Sequence, residues 1–210
     1  MRAKLFSSSV GKKLGMALTG LALYMFLVGH LAGNLLLFKK DGGAQFNAYA
    51  EFLLNHPLLV PVELGLIAVL LLHVWLAISV SLDNRRARPL GYQIERASGG
   101  RKLASRTMLY SGLFTFLFVV IHLINFKYGD RGGGTLYDLV IRSFKTPLYA
   151  GGYALAMILL GFHLWHSFQS AFQTLGIQLS PRLRSASVLI CLVLAGGFGV
   201  IPLWIFLFTR

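Results

Sequence analysis

Apart from histidine, this 210-residue chain offers few metal-ligating side chains: one cysteine, Cys191, and seven acids. The lone thiol excludes a disulfide within the chain, a four-thiolate iron–sulfur site and covalent haem attachment through C-x-x-C-H. The acids fall at or beyond the ends of the long apolar runs, so no mid-run carboxylate is available to complete a zinc site or an acid-based proton relay. Twenty Lys and Arg give a net charge of +13. No basic stripe is interleaved with exposed aromatics, which argues against a nucleic-acid surface. The excess reads instead as topology charge with affinity for anionic lipid headgroups.

What is abundant is apolar sequence: 56% of residues are hydrophobic, and mean hydropathy is +0.67. The chain therefore reads as one all-α, polytopic membrane domain over residues 1–210, with spans at about 14–38, 58–82, 107–126, 148–175 and 185–208. The lead MRAKLFSSSVGKK resembles a signal peptide's basic start, but the run behind it is too long for an h-region and lacks a small-x-small cleavage site. It predicts a retained helix. Between the first two spans, QFNAYAEFLLNHP suggests a short interfacial helix, with His56 at its surface-facing end. A strongly basic loop, 83–106, joins the second and third spans, and the Gly-rich KYGDRGGGTLYD follows the third. Thirteen Lys and Arg lie on the amino-terminal side and seven on the other, predicting a cytoplasmic amino terminus and an external carboxyl terminus.

Four of the five spans carry a mid-span histidine: His30, His73, His122 and His163, with His166 one turn beyond the last. Intramembrane ionisable groups are costly and mark function. Singly, such a histidine is ordinarily hydrogen-bonding glue between helices. Counted from the inner charged edge, His30 and His122 both lie roughly 25 Å deep, and His73 and His163 roughly 18 Å deep. Two pairs at two levels are what two stacked bis-histidine haems require. A repeat accompanies them. His30 and His122 are followed by Asn34 and Asn125, while His73-Val-Trp75 matches His163-Leu-Trp165 and favours His163 over His166. Gly29 and Gly33 flank His30, leaving a gap suited to close helix packing or to a flat macrocycle.

The blocks SSSVGKKLGMALTGLALYMFLVGHLAGNLLLF, DNRRARPLGY with SRTM, VIHLINF, and FHLWHSFQSAFQTLG with SPR occur in this order. Together they resemble the single-chain, five-helix, di-haem cytochrome b anchor of succinate dehydrogenases and fumarate reductases. The resemblance implies two haems b, an outer (distal) one on His30 and His122 and an inner (proximal) one on His73 and His163. It also implies docking to a flavoprotein and an iron–sulfur subunit, which interconvert succinate and fumarate at an active site outside this chain, all at a bacterial cytoplasmic membrane. Electrons would pass between the iron–sulfur partner, the haems and a membrane quinone, for which the resemblance favours menaquinone. His166-Ser167 stands where the family carries Asn-Gly or His-Gly, so His166 is a poor ligand candidate.

Arg85, Arg88 and Arg106 are candidates for haem propionates or the partner's acidic face, with plain topology charge as the alternative. For the quinone, the family places an acid near the start of the second helix at the outer end. Glu63 fits by position, Glu51 is the runner-up, and Asn47 and Tyr49 are polar neighbours. Two other classes compete: a haem-free transporter or assembly protein with a histidine-lined polar path, and a standalone haem b electron carrier.

Overall fold

The computed structural model describes residues 8–87 and 103–209. Seven α-helices account for most of them: α1 (Ser9–Asn34), α2 (Ala44–Leu54), α3 (Leu59–Arg86), α4 (Leu103–His122), α5 (Leu136–Phe144), α6 (Pro147–Thr174) and α7 (Pro181–Phe208). A 3₁₀ turn, Leu35–Phe38, continues α1, and a π-helical turn, Leu123–Lys127, continues α4. Five of these helices, α1, α3, α4, α6 and α7, are long and apolar enough to cross a membrane. They coincide with the five predicted spans, although α1, α3, α4 and α7 each run four or five residues further at one polar end. Hydrogen bonding does not stop where hydropathy does: α3 continues to Arg86, whose charge suits the negative end of the helix dipole.

Helix α1 packs on α3, α3 on α4, α4 on α6 and α6 back on α1, closing a four-helix ring; α7 lies outside it against α6 and α1. Diagonal partners are therefore α1 with α4, and α3 with α6. At the basic end, Lys12 Nζ donates to Asp83 at 2.6 Å and ties the start of α1 to the end of α3. At the opposite end, Lys127 pairs with Glu63 and joins α4 to α3.

The short helices cover that opposite end. Gly43, at φ 86°, opens α2 in a backbone region that side-chain-bearing residues rarely adopt. Asn47 Oδ1 accepts from the Tyr137 amide at 3.1 Å, locking α2 to α5. Helix α5 was not expected, because the glycines before it hide its start. Its cap is local: Thr135 accepts from the Asp138 amide, and Asp138 accepts in return from the Thr135 amide and hydroxyl. Those bonds hold the Asp138 carboxyl below its ordinary value. A depressed pKa stabilises the fold above the unfolded value and loses that contribution as pH falls through the folded one. Amide protection across 135–139, measured against the intrinsic exchange rate at each pH, is expected to fall once pH drops below the ordinary carboxylate range, ahead of the rest of α5.

Lys145 donates to the carbonyls of Thr209 and Phe206, satisfying the end of α7. Close helix approach is set by small residues. A side-chain carbon at Gly197 of α7 would stand 2.9 Å from Leu31 of α1. Gly197→Leu is expected to cost about 1–3 kcal/mol or more by overpacking, read as a lower unfolding temperature in detergent.

Candidate functional site

The four mid-span histidines all point into partly buried positions of the ring and meet in twos. His30 of α1 and His122 of α4 face each other edge-on, ring centroids 5.7 Å apart. A metal–imidazole bond is about 2 Å, so two imidazoles on opposite sides of one iron have centroids on the order of 6 Å apart. His73 of α3 reaches α1 at Thr19, and His163 of α6 reaches α4 at Ser111, so these two stand on the other diagonal at one level. Each pair thus joins diagonal helices across the centre of the ring. Among the described residues no three His, Cys, Asp or Glu side chains converge. A two-imidazole set suits an iron already held by a macrocycle's four nitrogens better than it suits a bare ion.

Around the outer pair the environment is aromatic. Phe26 stacks on His30 at 5.3 Å, Phe198 of α7 lies 5.6 Å from it, and Phe118, Phe126 and Tyr153 surround His122. The Nδ1 of His122 is buried with no hydrogen-bond partner, which leaves that imidazole's polar capacity unspent.

The inner pair has a different support, repeated exactly in kind on two helices. Thr19 Oγ1 lies 3.0 Å from His73 Nδ1, and Ser111 Oγ lies 3.2 Å from His163 Nδ1. The next residue in each case is a glycine: a side-chain carbon at Gly20 would stand 3.1 Å from His73 Cε1, and one at Gly112 would stand 3.1 Å from His163 Cε1. The sequence held a signal for this that spacing between histidines did not reveal. Met16, Thr19, Gly20, Phe26 and His30 recur as Met108, Ser111, Gly112, Phe118 and His122 at a constant offset of 92.

Three expectations need correction. The inner and outer levels differ by more than the roughly 7 Å obtained from charged edges. His73 meets α1 at Thr19, eleven residues before His30, which makes the interval about 16 Å. His73 is level with Thr19, which lies six residues from Lys13, whereas His73 itself lies 12 from Arg85; those two reference charges are therefore not level, and counting from them misplaced the zero. Second, only Gly33 takes part in close packing, the Tyr49 ring of α2 filling the place where its side chain would be, whereas Gly29 is exposed with open space beside it. Third, the asparagines do not repeat. Asn34 donates to the His30 carbonyl at 2.8 Å, whereas Asn125, turned by the π-helical segment, donates to Tyr153 at 3.0 Å.

Of the remaining candidates, Glu63 is half-buried and paired with Lys127, Glu51 is exposed on α2, and Asn47 and Tyr49 are engaged with Tyr137 and Gly33. These four share the end away from Lys12 and Asp83. Arg85 is exposed in the last turn of α3. Arg88 and the Arg106 side chain lie outside the described residues. His166 stacks on Trp165 at 4.8 Å, and exposed His56 accepts from the Leu58 amide at 3.2 Å, as a turn histidine does. No family model, curated protein or solved structure matches the chain.

Proposed function

We propose that this chain is a membrane cytochrome b that holds two bis-histidine haems. More particularly, it is the di-haem anchor subunit of a succinate:quinone oxidoreductase, working as a succinate dehydrogenase or a quinol:fumarate reductase. The observation that supports this reading most is the placement of four imidazoles on the two diagonals of one ring at two levels, His30 against His122, and His73 and His163 each against a hydroxyl of a neighbouring helix. A polar path would string its groups along one channel wall. Here they pair off.

On this reading His30 and His122 hold the outer haem and His73 and His163 the inner one, and the bound groups supply one-electron transfer along the bundle. The protein's own residues position and insulate. Phe26, Phe118, Phe126 and Phe198 keep water from the outer pair. Arg85, Arg88 and Arg106 supply positive charge at the basic, cytoplasmic end for propionates and for the iron–sulfur and flavoprotein partners, the latter carrying the dicarboxylate site. At the outer end Glu63, with Lys127 as counter-ion, is the group placed to exchange a proton with the headgroup of a quinone, menaquinone by resemblance. The amino terminus is cytoplasmic, the carboxyl terminus external, and the membrane a bacterial cytoplasmic one.

The test is the dithionite-reduced minus oxidised spectrum of the detergent-solubilised protein, with haem quantified per chain and co-purifying subunits identified. Two haems b together with a flavoprotein and an iron–sulfur protein are expected. Absence of haem would favour the polar path, and haem without those subunits would favour a standalone carrier.

A further inference from the structure

Each inner histidine is met at Nδ1 by a hydroxyl that already has a use for its proton. Thr19 Oγ1 donates to the carbonyls of Gly15 and Met16, at 2.8 and 3.1 Å. Ser111 Oγ donates to the Met108 carbonyl at 3.0 Å. A hydroxyl has one proton and two lone pairs. With the proton committed to the helix's own carbonyls, the hydroxyl can only accept from the ring, so the hydrogen between Thr19 and His73, and between Ser111 and His163, belongs to Nδ1. Nε2 is then left with its lone pair in both imidazoles. Gly20 and Gly112 complete each cradle by leaving room for Cε1.

We infer that Thr19 and Ser111 are positioning residues, one for each inner histidine, that fix His73 and His163 as Nδ1–H imidazoles and so present Nε2 as the ligating nitrogen. The assignment rests on the haem reading for its purpose but not for its chemistry, since the tautomer is a property of the chain alone. Among the described residues the outer pair has no such device. His122 Nδ1 is unpartnered, and His30 Nε2 has only Asn34 Nδ2 at 3.5 Å. Orientation through the second ring nitrogen also raises the basicity of the first. Thr19 and Ser111 therefore strengthen donation at the inner level only.

Two measurements test this on the full-length chain. With ¹⁵N-labelled histidine in the haem-free protein, ring nitrogen shifts are expected to report Nδ1–H for His73 and His163. Thr19→Val is expected to turn His73 into a tautomer mixture while His163 stays unchanged, Ser111→Ala is expected to do the converse, and Thr19→Ser is expected to restore the wild-type spectrum. In the haem-loaded protein, Thr19→Val or Ser111→Ala is expected to shift one midpoint potential upward, because a weaker donor stabilises ferric iron less, and to leave the other in place. An Nε2–H tautomer in the wild type, or a tautomer indifferent to both substitutions, would overturn the assignment. Failure of the haem reading has a different signature: no haem bound by the wild type, with the tautomer result standing.

Discussion

His73→Ala is expected to halve the haem content and to leave the outer centre's spectrum intact, and His163→Ala is expected to give the same product. The equivalence follows from geometry. His73 and His163 stand on diagonal helices at one level, and a low-spin iron needs an imidazole on each side of its ring. His30→Ala and His122→Ala are expected to form the second equivalent pair, since those rings already lie 5.7 Å apart. Haem quantified per chain, with the reduced-minus-oxidised spectrum of each variant, decides the matter. Loss patterns that paired His30 with His73, or His122 with His163, would contradict the diagonal assignment, because those partners sit about 16 Å apart along the helix axis.

Gly112→Leu is the second large effect. Its first side-chain carbon alone would press on His163 Cε1 at 3.1 Å, and the branched remainder adds bulk beside that same ring. Overpacking of this kind costs about 1–3 kcal/mol, and here the nearest thing that can yield is the imidazole itself. The expected result is loss of the inner haem with retention of the outer one. Gly20→Leu should do the same through His73, and Gly112→Ala should be milder, since a shift of a few tenths of an ångström relieves it. Gly65→Leu on exposed α3 surface, where nothing lies within 4 Å, is the matched control and is expected to leave both centres unchanged. Spectra and thermal unfolding of the four variants in detergent check the series. If Gly112→Leu kept two haems, the cradle would have no part in the site.

Much of the candidate site was legible because its residue type is conspicuous. An imidazole in the middle of an apolar run stands out against hydropathy, and one per span invites pairing. Thr19, Ser111, Gly20 and Gly112 were illegible for the opposite reason. Hydroxyls and glycines are ordinary in membrane helices, where they satisfy backbone carbonyls and ease packing. Only contact with a ring on the neighbouring helix distinguishes these four from Thr115, which bonds its own helix at the Ser111 carbonyl. The ion pair between Glu63 and Lys127 was hidden in the same way, its members being 64 positions apart.

By itself the sequence determined the five long helices and their histidines. Helix length and burial in an apolar medium follow from composition along a continuous stretch, and each stretch satisfies its own backbone hydrogen bonds. Helix α5 escaped because nine residues behind a run of glycines are too few for composition to register, although the Thr135–Asp138 cap was there to be read. Tertiary structure alone decided which helices are diagonal, that the levels lie about 16 Å apart, and that a hydroxyl supports each inner histidine. Those facts depend on the register of one helix against another. Register is set by side-chain contacts summed over whole interfaces, such as Lys12 with Asp83 and Gly197 with Leu31, and no local stretch of sequence contains both halves of such a contact.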